Sequence, residues 1–269
     1  MLRSPAVAGQ FYPGSESSLI KALDSLIPHI QPEEKKDALA VVSPHAGYIY
    51  SGGVAGETIG SVNVPDSVII LGPNHTGHGA SIALMDHGAW DMPMGEVQID
   101  KELASAIKNS TEQVQVDEMA HRLEHSLEVQ VPFLQYMQKN LQIAPIVVSH
   151  VSYGTCVSVG NGLAEAIRNF GKQVLIVAST DMTHYESRQS ASSKDGLALD
   201  RIKELDPEGL YNTVVGNRIS MCGIMPTTVA LIAAMALGAT KADLIRYTDS
   251  GDASGDTDRV VGYAGLVIS

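Results

Sequence analysis

Six aliphatic runs that do not alternate with polar residues set the narrowest limit on how this chain can fold: "ALAVVSPH" (38–45), "DSVIILGPNH" (66–75), "ASIALM" (80–85), "IAPIVVSH" (143–150), "QVLIVASTDMTH" (173–184) and "GYAGLVIS" (262–269). A strand with one wet face reads apolar, polar, apolar; a strand that is apolar throughout needs cover on both faces. Helical patterns lie between these runs at residues 15–27, 100–110, 122–140, 159–170, 192–205 and 226–238, the first opened by Ser15 as N-cap. Strand and helix alternate along the chain, which predicts an α/β sandwich with a mainly parallel sheet between helices. No repeat and no shift of composition marks a linker, so residues 1–269 are read as one domain.

At 44% hydrophobic residues the chain can bury a core that needs neither disulfide nor metal to fold. Cys156 and Cys222 stand far apart without any CxxC pattern, which argues against a disulfide framework or a zinc ribbon and points to the cytosol. Eighteen Lys and Arg against thirty Asp and Glu give a net charge of −12, with no basic cluster to neutralise a row of phosphates. Nucleic acid is therefore excluded as a partner. The first residues lack the apolar stretch of a signal peptide, and no run approaches the roughly 20 apolar residues of a membrane span. The expectation is a cytoplasmic protein with no membrane partner. The acidic, glycine-rich "DSGDASGDTDR" (249–259) lacks the full calcium-loop pattern and reads as a solvated loop.

In open parallel sheets ligands bind beyond the carboxyl ends of the strands. Four of the aliphatic runs end in chemistry-bearing residues there: His45, His75, His150, and the pair Asp181 and His184. Histidine is the commonest protein metal ligand, and two or three imidazoles with one anionic donor make an open metal site. Cys222, in "ISMCGIMPTT", follows a polar turn and precedes a helix, a position from which a thiolate can face such a site; Cys156 reads as a buried structural thiol. A rival cluster is "HRLEHSLE" (121–128), with His121 and His125 four apart on a predicted helix. It lacks the HExxH order, and His125 or Glu128 is read instead either as a supporting hydrogen-bond partner at the cleft or as part of a solvated face. Phe11, Tyr12, Tyr48 and Tyr50 are concentrated in "GQFYPG" and "PHAGYIYSGG"; they either fill core or line the site, and in the second case favour a flat guest.

Seven motifs in order, "AGQFYPG", "SPHAGYIYSG", "LGPNHTG", "LEHSLEVQVPFLQ", "STDMTHY", "CGIMPT" and "VVGYAG", resemble the MEMO1 family nearly end to end. Its prokaryotic members are described as component B of the AmmeMemoRadiSam system. The resemblance implies a fold similar to the class III extradiol dioxygenases of LigB type, with a mixed sheet. It also implies metal ligands at His45, His75 and Cys222. Asp181 and His184 would complete the site, with His184 at the position of the dioxygenase acid/base. The aromatic and histidine patterns themselves offer Phe11, Tyr48 and His125 as candidate lining of the substrate pocket. The dioxygenases hold Fe(II) with two histidines and a carboxylate, whereas a cysteine here shifts the preference toward copper or zinc, iron remaining open.

Three functional readings follow. One is a metal-dependent oxidoreductase acting on a small molecule through Fe(II) or Cu, with Zn as a further candidate. A second is a non-enzymatic protein that binds a small molecule or peptide, since animal relatives are linked to phosphotyrosine peptides. A third is an accessory component acting with radical-SAM and AMMECR1-like proteins.

Overall fold

The computed structural model describes residues 1–269. The strands are β1 (Leu2–Arg3), β2 (Ala40–Ser43), β3 (Ser67–Pro73), β4 (Ile82–Leu84), β5 (Ala89–Trp90), β6 (Val97–Ile99), β7 (Gln115–Val116), β8 (Gln142–Val148), β9 (Val174–Ser179), β10 (His184–Glu186), β11 (Ala242–Asp249) and β12 (Val260–Ile268). The helices are α1 (Glu16–Leu26), α2 (Tyr48–Gly60), α3 (Lys101–Ser110), α4 (Val131–Met137), α5 (Tyr153–Phe170), α6 (Arg188–Lys203), α7 (Pro207–Gly216), α8 (Ile224–Ala236) and α9 (Gly251–Ser254).

One mixed sheet runs in the order β1-β5-β6-β8-β3-β9-β2-β12-β10, with β11 beside β12 and β4 beside β8. The block β6-β8-β3-β9-β2 is parallel, and antiparallel strands β11 and β12 close one side of it. Alternate residues of the parallel strands enter two apolar layers. Ile69, Leu71, Ile176 and Ala178 join α3, α5 and α8, while Val68, Ile70, Leu175 and Val177 join α1, α2 and α4. That two-sided burial is why these strands carry no polar alternation. No helix is long and apolar enough to cross a membrane.

Helix α2 is absent from the sequence expectation because "YIYSGGVAGETIG" carries four glycines, each costing about 1 kcal/mol in a helix relative to alanine. Packing explains them. A Cβ at Gly56 would lie 2.3 Å from the Leu26 carbonyl oxygen, and Cβ atoms at Gly52 and Gly60 would each meet side-chain carbon at 2.9 Å. The stripe 52/56/60 lets the end of α1 rest on α2. Gly56→Ala is therefore expected to destabilise by about 2 kcal/mol, because a backbone oxygen cannot give way. Gly53→Ala, whose Cβ would meet only Arg246 Nη1 at 3.5 Å, should be neutral or stabilising by up to about 1 kcal/mol. Urea denaturation of the pair reads both signs.

The single helix expected over 122–140 is not formed: residues 122–127 are irregular, Glu128–Gln130 form a 3-10 turn and α4 begins at Val131. Side chains take the backbone groups that a helix would pair internally. Arg3 donates to the carbonyls of His121 and Glu124, and the Glu124 carboxylate accepts the N–H of Ser126. Strand β11 shows no aliphatic run in the sequence because its half-exposed face mixes charge with aliphatics. Ser15 holds the N-cap position of α1 without a side-chain bond.

Candidate metal centre

Strand β9 lies between β2 and β3, in register at Ser43 with Ser179 and Leu71 with Ala178. The three carboxyl ends therefore finish side by side. The next residues of β2 and β3 bring His45 and His75 together, with ring centroids 5.3 Å apart. His125, from the irregular 122–127 segment, stacks on His75 at 4.6 Å and stands 5.6 Å from His45. Ring nitrogens of the three lie within 4.8 Å of one another, a grouping that could hold a metal ion.

Neighbours determine which nitrogen of each ring faces inward. The Ser179 hydroxyl donates to the Ser126 carbonyl at 2.7 Å and accepts from Gln130 Nε2 at 2.9 Å. Its remaining lone pair accepts from His45 Nδ1 at 2.8 Å, which leaves His45 Nε2 bare. Glu124 does the same for His75: Oε1 accepts from Nδ1 at 2.9 Å and Oε2 from the His75 main-chain N–H at 2.6 Å. Those bonds outweigh its burial and hold the Glu124 carboxyl down at about 2, so it is ionised. Both imidazoles thus present Nε2, the arrangement in which an outer carboxylate or hydroxyl orients a metal-binding histidine. His45 is held neutral by burial first, and then by His75, His125 and His184 nearby; burial also lowers His125.

Cys222 sits in the turn before α8. A Cβ at the next residue, Gly223, would lie 2.4 Å from the Ser179 carbonyl oxygen, so only glycine lets the turn reach β9. The Cys222 sulfur lies 3.4 Å from His45 Nε2 and accepts the Asp181 N–H at 3.2 Å. Two ligands of a tetrahedral metal, one sulfur and one imidazole nitrogen, stand about 3.5 Å apart. Burial, with the Asp181 charge beside it, pushes the thiol well above its usual range. The thiol is protonated, with two acceptors in reach, His45 Nε2 at 3.4 Å and the Asp181 carbonyl at 3.6 Å.

Asp181 works through its carboxylate and its main chain: Oδ1 accepts the His45 main-chain N–H at 2.8 Å, and burial raises the group to about 6. His184, half-buried, donates from Nδ1 to the Ser220 carbonyl at 2.9 Å, leaving Nε2 bare. Phe11 packs on His125 with centroids 5.0 Å apart. Tyr48 is 6% exposed, donates to the Val129 carbonyl and lies on Phe133, which places it in the core beneath the site. His150 is exposed and does not join the grouping. Cys156 is buried, its sulfur 3.8 Å from Met225 Sδ. Glu128 anchors the N-terminal segment rather than a histidine. Of the partners that orient the histidines, Glu124 stood in the "HRLEHSLE" cluster of the sequence, whereas Ser179 and Gln130 were visible there only as polar residues in or beside apolar runs.

The family model described as Memo-like protein matches residues 3–267. The chain belongs to the MEMO1 family. Relatives include a MEMO1 family protein of Methanothermobacter thermautotrophicus, 41% identical over 276 residues and covering 99% of this chain and 100% of the relative. One from Aquifex aeolicus is 42% identical over 267 residues, covering 99% and 98%. Another from Methanopyrus kandleri is 40% identical, covering 99% of each. The matches span the whole site, from Phe11 to Cys222.

His121, four residues before His125, faces away from the grouping. It is buried, donates from Nε2 to the Ala83 carbonyl at 3.0 Å and leaves Nδ1 without a partner. Burial lowers it from 6.5 to about 4. Because the unfolded chain takes up this proton first, stability is full above pH 6.5 and falls as pH drops toward 4. Between pH 7 and 5 the loss from His121 is about 2 kcal/mol. Denaturant titrations at the two pH values measure it, and His121→Gln should flatten the slope.

Proposed function

We propose that this MEMO1 family member binds one transition-metal ion through His45, His75 and Cys222, with His125 as a fourth donor or a pocket wall, and that the loaded site is a redox centre for a small molecule. The observation that carries the reading is the pair of imidazoles whose Nδ1 atoms are each committed to an outer acceptor, so that both Nε2 atoms turn inward, His45 Nε2 with the Cys222 sulfur at 3.4 Å; Cys222 itself lies outside the three-histidine grouping. A thiolate with imidazoles suits copper or zinc and accepts iron, and only copper or iron supplies electron transfer or oxygen activation. His184, with Nε2 bare and Nδ1 tied to Ser220, is placed to take or return a proton, and Asp181 holds the His45 main chain. Phe11 against His125, and Tyr185 5.9 Å from His184, give the site aromatic flanks suited to a flat guest.

The test is elemental analysis and anaerobic titration of Fe(II) and Cu into the wild-type chain, His75→Ala and Cys222→Ala. Near-stoichiometric binding that each substitution weakens by orders of magnitude is expected. Binding by wild type should also release about one proton, the one held on the Cys222 thiol. Equal affinity in all three chains would overturn the site. Tight binding without any absorbance change on exposure to oxygen, peroxide or reductant would leave a metal site and remove the redox reading.

A further inference from the structure

Beside the segment 118–123 lies a groove of about 550 Å³ that none of His45, His75, His125 and Cys222 lines. Its floor includes Arg3 and His121, and its walls carry Met1, Leu2, Met119 and Leu123, which are 59, 49, 65 and 63% exposed. Four of the twelve exposed large hydrophobic side chains of the whole chain are thus gathered in one place. Isolated exposed apolar residues are ordinary, whereas a contiguous patch marks a contact surface.

Two further observations say what covers it. Strand β1 ends the sheet and pairs only with β5, so its outer edge is open beside the groove. On the rim stand Glu118 and Arg122, of opposite charge and four residues apart. Arg122 has no ion pair within the chain, and Glu118 meets only His87, at 3.3 Å. A twofold interface brings one patch against its own copy, so that residue i meets j and j meets i. An acid and a base on one apolar face satisfy that rule with two ion pairs, while an extended peptide laid along β1 has no need of the second charge.

We infer that this groove is the contact face of a homodimer, two copies packing it face to face with Met119 and Leu123 at the centre and Glu118 of each against Arg122 of the partner subunit. The face is joined to the metal site. Arg3, on the groove floor, donates to the carbonyls of His121 and Glu124, the latter being the residue that orients His75. Covering the groove therefore steadies the loop that presents His125. The inference stands independently of whether a metal is bound.

Sedimentation equilibrium and light scattering across the micromolar range test it on the full chain. Wild type should be a dimer. Leu123→Glu, at an exposed position that leaves the fold intact by circular dichroism, should weaken association by about a hundredfold or more by burying a charge at an apolar centre. Glu118→Arg alone and Arg122→Glu alone should each dissociate the dimer through like-charge contacts, and the double variant Glu118→Arg/Arg122→Glu should restore it. A monomeric wild-type chain overturns the inference and returns the groove to a different partner. A dimer indifferent to Leu123→Glu, or a double variant that stays apart while both single variants dissociate, overturns it equally.

Discussion

Glu128→Ala is expected to lower the free energy of unfolding by about 3–5 kcal/mol, the usual cost of leaving a buried charge without its partner. Glu128 is fully buried, and its two oxygens receive four donors: Arg3 Nη1 at 2.7 Å, the main-chain N–H groups of Ala6 at 2.8 Å and Val7 at 3.0 Å, and the Tyr12 hydroxyl at 2.7 Å. Every lone pair of the carboxylate is used. Removing it strands the Arg3 guanidinium, which lies over Trp90 at 4.1 Å, and unties residues 3–12 from the segment that carries His121 to Gln130. Glu128→Gln keeps the shape and one acceptor but turns an amide N–H toward other donors, so it should recover part of the loss. Urea denaturation at neutral pH makes the comparison. An alanine variant within about 1 kcal/mol of wild type would mean that the network's desolvation cost cancels its bonds.

Glu124→Gln is expected to reduce metal affinity by about 10–100-fold while all candidate ligands remain in place. The carboxylate accepts from both the ring and the main chain of His75, and its Oε1 also lies 3.5 Å from His125 Nδ1. A glutamine retains one accepting oxygen and loses the charge that makes the His75 imidazole a better donor. The readouts are the metal titration and the unfolding curve of the metal-free chain. A fall in affinity larger than any change in metal-free stability identifies an orienting role. Parallel losses in both would reduce Glu124 to a structural residue. Ser179→Ala makes the corresponding test at His45, with a smaller expected effect because it removes a neutral acceptor rather than a charge and Gln130 keeps its bond to the Pro44 carbonyl at 2.8 Å.

Much of the fold was legible because two-faced burial leaves a plain mark: the aliphatic runs ending at Ser43, Pro73, Val148 and Ser179 are four of the five strands of the parallel block, and the polar residues just beyond them include two of the three grouped histidines. Periodicity failed where long-range contacts override local preference. The glycines of α2 argue against a helix until the Leu26 carbonyl is seen resting on Gly56. The apolar spacing of 122–140 argues for a helix until Arg3, more than a hundred residues away in sequence, takes the carbonyls of His121 and Glu124 at its start.

The layered α/β class, the family and the residue types offered at the strand ends follow from patterning within single elements and from ordered motifs, and so can be read from the chain alone. Which histidines meet cannot, for it depends on the three-dimensional pairing of strands. His75, His125 and His45 come together and His150 and His121 do not, since strand order, sheet register and the irregular path of residues 122–127 are properties of pairings between distant segments. The inward aim of each Nε2 was decided at the same level, by hydroxyl and carboxylate neighbours from other elements whose hydrogen bonds leave each ring one tautomer.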